Sequence, residues 1–294
     1  MTRFLVTQEA AKKRLDALLR ELAGLSQKKA RLLCALGGVA IDGVCSPATA
    51  RVREGSEITI ATEYVDLMLQ LGLPVAFADD EVIVLQKPPG LAVHAGPLVD
   101  TSVADALQRE LPGSGLAHRL DRDASGLLLV GRSPQALATL GNSMERNEIS
   151  RDYEAIVHGN IEQDERTIAL PLLVTDEPHG RKPKTLVDDT GLPSVSKVTV
   201  LGRREGATHV RIALETGRTH QIRAHMQAIG HPLLGDARYG DQEANERARS
   251  TFGVHRALLH SKHLRFAQPT TGENIAVTAT NEPDFARIFP NRKP

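Results

Sequence analysis

Residues 118–130 read HRLDRDASGLLLV, a polar run that ends in glycine and leads directly into four apolar residues. A polar loop ahead of a buried strand is where a rigid scaffold commonly holds a reactive side chain. Asp121 lies between Arg119 and Arg122, whose positive charges would keep its carboxylate ionised. An ionised carboxylate can act as a nucleophile or a base. The same residues could instead form a surface ion-pair cluster, and the run alone does not separate the two interpretations.

Strands and helices alternate irregularly on both sides of this run. Ser133 and Pro134 supply an N-cap and a first-turn proline for a helix. Predicted strands lie at 82–85, 127–130, 153–157 and 210–214, and predicted helices at 134–144 and 219–229. This irregular mixture favours an α+β fold with a mixed sheet over a doubly wound parallel sheet.

The first sixty residues predict a small unit of two helices followed by short strands. The buried face of the first helix is predicted from four leucines at helical spacing, Leu15, Leu18, Leu19 and Leu22. Ser26 is a suitable N-cap for a second helix that reaches Leu36, and residues 63–73 predict a linker or a last small helix. Five basic residues lie off the apolar face, namely Lys12, Lys13, Lys28, Lys29 and Arg31. These basic residues either contact an anionic partner or form a solvated charged face.

The distribution of charge supports the first of these alternatives. The 294-residue chain has 36 Lys and Arg against 36 Asp and Glu, and this zero net charge is not typical of a dedicated nucleic-acid binder. Residues 1–60 nevertheless carry 10 basic against 6 acidic residues, a surplus of four, whereas residues 61–100 carry 1 against 6. Any partner of the N-terminal unit is therefore expected to be more anionic than a partner of the linker.

Several protein classes are excluded by what the sequence lacks. No apolar run approaches the roughly 18 residues of a membrane span, and the basic N-terminal segment does not resemble a signal peptide, so we expect a cytoplasmic protein. Two cysteines, Cys34 and Cys45, cannot build a disulfide framework or a four-ligand zinc site. His220 and His225 are five residues apart, on different helix faces, which argues against a metal site. Without Walker or dinucleotide motifs, no cofactor is expected.

Two further stretches could bind anions. Residues 215–225, ETGRTHQIRAH, follow a predicted strand and open a predicted helix, so their backbone N–H groups could hold a phosphate. Residues 178–184 place Arg181, Lys182 and Lys184 among prolines and a glycine in a loop. This loop could contact a phosphate backbone or simply be an exposed solubilising loop.

Four segments, taken in order, resemble the RluA family of pseudouridine synthases. They are the run at 118–129, the strand and Lys-Pro-x-Gly turn at 80–94, the tyrosine strand at 153–159, and the arginine motif at 217–225 with its continuation at 230–236. The resemblance covers residues 74–285. Residues 12–62 resemble the S4 RNA-binding domain. The resemblance implies an S4-like domain at 1–62, a linker at 63–73 and a catalytic domain with a largely antiparallel sheet at 74–294.

The resemblance also implies roles for individual residues. Asp121 matches the catalytic aspartate, Arg223 the arginine that pairs with it, and Tyr153 the tyrosine that packs against the target base. Arg119 matches the residue that fills the space left by the flipped base. His118, Arg218 and His220 are expected to bind substrate, with Leu128 and Ile222 as apolar walls. Ala124 departs from the usual threonine and removes a hydroxyl from the loop.

The implied function is cofactor-free isomerisation of uridine to pseudouridine in structured RNA, which we expect to be large-subunit ribosomal RNA. The basic residues named above, in the N-terminal unit and at 181–184, would bind that RNA. We expect a monomer without an obligate protein partner, a membrane association or a metal. Transfer RNA is the alternative substrate, and a non-catalytic RNA-binding or ribosome-assembly protein is the alternative class. A hydrolase using Asp121 and His118 is not favoured, because no oxyanion-forming motif accompanies them.

Overall fold

The computed structural model describes residues 2–60, 64–96, 101–175 and 184–290, and its strands form three sheets. Within these ranges no helix is long and apolar enough to cross a membrane.

The N-terminal unit packs two helices against a four-stranded sheet. Its elements are β1 (Thr2–Leu5), α1 (Leu15–Ala23), α2 (Gln27–Ala35), β2 (Val39–Ile41), β3 (Val44–Cys45) and β4 (Glu57–Ile60), with the strands in the order β1-β4-β2-β3. Ser26 caps α2 as predicted, because its hydroxyl accepts a hydrogen bond from the Lys29 N–H. Leu15, Leu18 and Leu19 are buried, but the expectation for Leu22 was wrong. Leu22 is 38% exposed in the last turn of α1, just before Gly24 ends the helix in a left-handed conformation.

A short helix, α3 (Val65–Leu71), follows the N-terminal unit in the region expected to be a linker or a last small helix. Met68 packs into the core of the N-terminal unit, whereas Leu71 packs into the main core. The helix therefore contributes apolar side chains to both cores.

The main sheet has ten strands and is mixed, as the sequence indicated. Among the described strands only β8 and β15 pair in parallel, and the other pairs are antiparallel. Eight strands follow the order β10-β13-β14-β9-β15-β8-β6-β5, with β16 beside β15 and β7 beside β8. The strands are β5 (Val75–Ala78), β6 (Val82–Lys87), β7 (Gly115–Leu116), β8 (Ser125–Gly131), β9 (Ser150–His158), β10 (Glu165–Ala169), β13 (Val195–Arg204), β14 (Ala207–Leu214), β15 (Leu259–Ala267) and β16 (Asn274–Thr278).

The remaining elements cover the sheet or extend from it. The strands β11 (Leu172–Thr175) and β12 (Lys184–Val187) pair as a separate two-stranded sheet. The helices are α4 (Val103–Glu110), α5 (Pro134–Glu145), α6 (Gln221–Ala228), α7 (Gln242–Phe252) and α8 (Pro283–Ile288). Together with the mixed sheet they confirm the α+β class.

The centre of the main sheet is buried on both faces, which explains the uninterrupted apolar run in β8. Leu128 packs into the main core, whereas Leu127 and Leu129 pack into a second core on the other face. Gly126 marks the close approach of β8 to β15. Its φ is 103°, and an added Cβ would lie 2.2 Å from the Ser261 carbonyl oxygen, so only glycine fits there.

The helix predicted at 219–229 begins two residues later than expected. His220, its N-cap, has a left-handed backbone with φ of 52°. The Gln221 side chain folds back toward the preceding turn, where its Oε1 accepts hydrogen bonds from the Arg218 N–H and the Thr216 hydroxyl. These bonds hold the preceding turn out of the helix.

Candidate active site

Asp121 lies in the loop that leads into β8, and a buried lysine holds this loop in place. Lys87 Nζ donates hydrogen bonds to the Arg122 carbonyl at 3.0 Å and to two carbonyls of the turn at 88–91. The Gly90 N–H donates to the same Arg122 carbonyl at 2.9 Å. Burial lowers the pKa of Lys87 to about 8. The Lys-Pro-x-Gly turn therefore fixes the backbone next to Asp121.

Arg256 holds the same loop from its C-terminal side. Its Nη1 donates to the Asp123 carbonyl at 3.2 Å. The guanidinium also forms ion pairs with Glu282 at 3.0 Å and Asp284 at 2.9 Å. The segment that opens α8 is thus connected to the loop of Asp121 through one arginine.

Arg223 on α6 is the cation that contacts Asp121. Its Nη1 donates to Asp121 Oδ2 at 2.8 Å. Its Nε and Nη2 donate to the two oxygens of Asp236 at 2.7 and 2.8 Å. Its guanidinium also lies 4.7 Å from the centre of the Tyr239 ring. These contacts fix the orientation in which Arg223 meets Asp121.

The ion pair between Arg223 and Asp236 favours the charged form of both residues. Burial alone would raise the pKa of Asp236, but the hydrogen bonds and charge of Arg223, with two backbone N–H groups, lower it below its usual value. Burial opposes the charge of Arg223, but Asp236 and Asp121 together raise the pKa of Arg223 above its usual value. Arg223 is therefore always a cation facing Asp121.

Arg119 and Arg122, the arginines expected to keep Asp121 ionised, have other surroundings. Arg122 donates through Nε to the Gly90 carbonyl. Arg119 is exposed and lines a cavity that also contains Asp121. The residue that hydrogen-bonds the Asp121 carboxylate is Arg223 from α6, not either of these sequence neighbours.

His220 approaches the other oxygen of Asp121. Its Nε2 lies 3.7 Å from Asp121 Oδ1, and its Nδ1 lies 3.0 Å from the Tyr239 hydroxyl. That hydroxyl also accepts a hydrogen bond from the Thr185 N–H at 2.9 Å. Burial lowers the pKa of His220, although Asp121 opposes the shift. A neutral His220 with its proton on Nε2 fits this set of partners.

Tyr153 on β9 forms a wall of the cavity that contains Asp121. The side chain is 5% exposed, and burial raises the pKa of its hydroxyl. The cavity is lined by the predicted residues Arg119, Asp121, Tyr153, Arg218, His220, Ile222 and Arg223, together with Leu120, Ala124, Leu214, Gln221 and Leu259. The arrangement places an aromatic ring, apolar walls and one carboxylate around a single small space.

Two predicted substrate-binding residues do not line this cavity. Leu128 is fully buried in the main core, because it lies two residues deeper in β8 than Gly126. His118 Nε2 accepts a hydrogen bond from the Leu129 N–H at 3.0 Å, and burial lowers the pKa of His118 to about 3. His118 is therefore a neutral partner of β8 that lines a neighbouring cavity.

The predicted RNA-binding residues have different surroundings. Lys12, Lys28 and Lys29 are exposed, whereas Lys13 pairs with Glu21 at 2.7 Å. Arg31 donates to the buried carboxylate of Asp16 at 3.0 Å, and hydrogen bonds from Arg14 and Arg31 lower the pKa of Asp16 to about 2. Lys184 Nζ lies 5.4 Å from the Tyr239 ring centre. Arg181 and Lys182 lie outside the described residues.

Three residues of the site were missed by sequence reasoning: Lys87, Asp236 and Tyr239. Each lies in a segment that carries the family resemblance or directly follows one, and each is an ionisable or phenolic residue that the structure buries almost completely. Within the described ranges, no group of three or more His, Cys, Asp or Glu could hold a metal ion.

Comparisons with known proteins place these features in a family. Residues 81–228 match the family described as RNA pseudouridylate synthase. The ribosomal large subunit pseudouridine synthase C of Pasteurella multocida (strain Pm70) is 36% identical, over 81% of this chain and 73% of that protein. The protein of the same name from Escherichia coli (strain K12) is 31% identical, over 97% and 94%. The structure of human RNA Pseudouridylate Synthase Domain Containing 1 is similar with a TM-score of 0.58 and 26% identity, over 72% of this chain and 84% of that one.

Proposed function

This chain belongs to the RNA pseudouridine synthase family, and on this premise we propose that it isomerises specific uridines of large-subunit ribosomal RNA with Asp121 as the catalytic carboxylate. One observation carries the assignment to Asp121. Its Oδ2 is bound by Arg223 at 2.8 Å, its Oδ1 lies 3.7 Å from His220 Nε2, and the residue lines the cavity. The carboxylate is thus held on one side and open to a substrate on the other.

The reaction moves the uracil base from one bond to another without a net change in atoms. The N1–C1′ bond breaks, the base rotates while it is held, and a C5–C1′ bond forms as the C5 proton leaves and N1 takes up a proton. Asp121 either attacks the uridine or assists the departure of its base, and Arg223 orients the carboxylate through its hydrogen bond to Oδ2. Isomerisation needs no oxidant, reductant or group donor.

Holding the detached base is the task of the cavity walls. A uridine must leave its stack before it can react, which costs a few kcal/mol that pocket contacts must offset. The Tyr153 ring offers a flat face for the base, and Leu214, Ile222 and Leu259 exclude water on other sides. Arg119, which is exposed at the cavity, would occupy the space that the base leaves.

The N-terminal unit is proposed to bind the RNA away from the reacting uridine. Lys12, Lys28 and Lys29 are exposed there, and exposed lysines can neutralise backbone phosphates. The names of the relatives favour ribosomal over transfer RNA, and a cytoplasmic location follows from either substrate. Changing Lys28 and Lys29 to glutamate should weaken RNA binding in a filter-binding assay while leaving the melting temperature unchanged.

The test of the proposed function uses RNA labelled with tritium at C5 of uridine. Transcripts of large-subunit ribosomal RNA and of transfer RNA are incubated with wild type, Asp121→Asn and Asp123→Asn, without added cofactor or metal. Asp123 is the matched control, because it is an exposed aspartate of the same loop. We expect wild type and Asp123→Asn to release tritium from ribosomal RNA, and Asp121→Asn to release none. Release by Asp121→Asn at the wild-type rate would show that Asp121 is not the catalytic group. RNA binding without release from either transcript would favour a non-catalytic RNA-binding protein.

A further inference from the structure

A second cavity of about 350 Å³ lies next to the one that contains Asp121, and the reaction described above does not use it. Its basic lining comes from Arg119, Arg151 and Arg218, and Glu145 is the acidic residue of the lining. Arg119 and Arg218 also line the cavity of Asp121. The two cavities therefore share a boundary formed by two arginines.

Arg151 is the most unusual residue of this second cavity. It lies on β9, two residues before Tyr153, and is only 9% exposed. Within the described ranges its side chain has no hydrogen bond and no ion pair, and its Nε is buried without a partner. A buried guanidinium nitrogen without a partner is costly, because its N–H loses its hydration and gains no hydrogen bond in exchange. Such a group is expected where an anion binds.

The neighbouring loop is shaped to accommodate this guanidinium. A Cβ added to Gly217 would lie 2.6 Å from Arg151 Nη1 and 3.0 Å from Nη2. Contacts that short are not tolerated, so any larger residue at 217 would displace the guanidinium. The backbone at 216–218 thus lies directly against Arg151, at the edge of the cavity.

His118 lines the same cavity. Its Nε2 accepts a hydrogen bond from the Leu129 N–H, so the neutral ring carries its proton on Nδ1. The Arg119 backbone interacts with this ring and opposes the burial that lowers its pKa. Arg151 is therefore the residue that indicates a bound anion.

We propose that this second cavity binds a backbone phosphate of the RNA that flanks the target uridine, with Arg151 as its principal ligand. The inference rests on the proposed function for the identity of the anion. A uridine in the cavity of Asp121 would carry its own phosphodiester close to this boundary. With Arg119 in the space that the base leaves, a phosphate in the second cavity would meet the guanidinium groups of Arg151 and Arg218 against the one carboxylate of Glu145. Its oxygens match the planar donors of arginine.

The first test compares the salt dependence of RNA binding. Wild type, Arg151→Gln and the control Arg249→Gln are titrated with the large-subunit ribosomal RNA transcript over a range of salt concentrations. Arg249 is an exposed residue of α7 paired with Glu246. Loss of one phosphate contact reduces the slope of log affinity against log salt by about one. We expect that reduction, and an affinity about tenfold lower at low salt, for Arg151→Gln and not for Arg249→Gln.

A second variant addresses the same contact without removing a charge. Gly217→Ala should displace the Arg151 guanidinium and reproduce the loss of affinity at unchanged net charge. Thermal melting shows whether each variant is folded. If both folded variants bind with the wild-type slope and affinity, the phosphate site is wrong. If wild type does not bind this RNA at all, the phosphate site is overturned as well.

The phosphate itself is identified with neutral methylphosphonate groups placed on either side of the modified uridine. One such substitution should raise the KM of wild type for this RNA about tenfold. The KM of Arg151→Gln for the same RNA should not rise further. Equal losses in both proteins at every position would overturn the inference. Tritium release tests the proposed isomerase activity, and the salt slope of RNA binding tests the phosphate site. If no tritium is released but Arg151→Gln has a reduced slope, the isomerase activity is wrong and the phosphate site is supported.

Discussion

Arg223 and Asp236 form an ion pair with two hydrogen bonds, Nε to Oδ2 at 2.7 Å and Nη2 to Oδ1 at 2.8 Å. The Asp236 side chain is completely buried in this pair. Asp236 Oδ1 also accepts the backbone N–H groups of Arg238 and Tyr239. Because two of the three guanidinium nitrogens are committed to Asp236, only Nη1 remains for Asp121, and its direction is fixed.

Asp236→Asn should therefore impair catalysis although residue 236 does not line the cavity. Without the Asp236 carboxylate, the largely buried Arg223 keeps only Asp121 as a counter-ion among the described residues, so the free energy of unfolding should fall by about 3 kcal/mol. The rate of tritium release should fall because Arg223 no longer has a fixed orientation, while the KM for RNA changes little. Urea denaturation and single-turnover kinetics measure the two effects.

The control for this prediction is Glu243→Gln, which removes an exposed ion pair with Arg247 on α7. Exposed pairs contribute at most about 1 kcal/mol, so this variant should match wild type within about 0.5 kcal/mol. If Asp236→Asn behaves like Glu243→Gln, the buried pair does not orient Arg223.

Tyr239→Phe removes a hydroxyl that has two partners. The Thr185 N–H would lose its acceptor and His220 Nδ1 its neighbour, whereas the ring beneath Arg223 would remain. A buried donor left unpaired costs about 1–3 kcal/mol, and the melting temperature should fall accordingly. Tritium release should also slow, because the proton of His220 is no longer directed to Nε2 beside Asp121. An unchanged rate in a destabilised variant would restrict the hydroxyl to a structural role.

The sequence predicts the local elements well because their signals are local. Ser26 and Ser133 cap the helices that follow them, and the apolar run at 127–130 forms the central strand. The residues that line the cavity are harder to predict from local patterns. Leu128 was expected in the wall, but it lies deeper along β8, fully buried in the same core as the wall residues Tyr153 and Ile222.

The charge partners of the site could not be predicted from sequence neighbours. Asp121 and Arg223 are 102 residues apart, and only the family resemblance brought them together before the structure did. Asp236 and Tyr239 carry no distinctive spacing, and their role depends on being buried beside Arg223. A long-range polar network of this kind is defined by tertiary packing, which local patterns do not encode.

Lys87 should make the stability of the protein depend on alkaline pH. Its pKa is about 8 in the folded protein and about 10.4 in an unfolded chain. Between these values the unfolded chain binds more protons, so the contribution of Lys87 to the free energy of unfolding rises with pH, by about 2 kcal/mol from pH 7.5 to 9.5. Urea denaturation of wild type and Lys87→Met should show this difference growing with pH.

Lys87→Met should also slow tritium release, because the Arg122 carbonyl and the turn at 88–91 lose their shared donor. Lys197→Met, which removes an exposed ion pair with Glu215, is the control for both measurements. A constant stability difference between wild type and Lys87→Met across this pH range would contradict the lowered pKa.

His118 should make the stability of the protein depend on acidic pH. Its pKa is about 3 in the folded protein and about 6.5 in an unfolded chain. Between these values the unfolded chain takes up the proton and the folded protein does not, so the stability that His118 contributes is lost as the pH falls. From pH 6.5 to 4.5 the loss should be about 2–3 kcal/mol. His118→Gln retains an acceptor for the Leu129 N–H but does not titrate, so its stability should fall less than that of wild type over this range. His255→Gln changes an exposed histidine and should follow wild type. If all three proteins lose stability in parallel, His118 is not held in its neutral form by the fold.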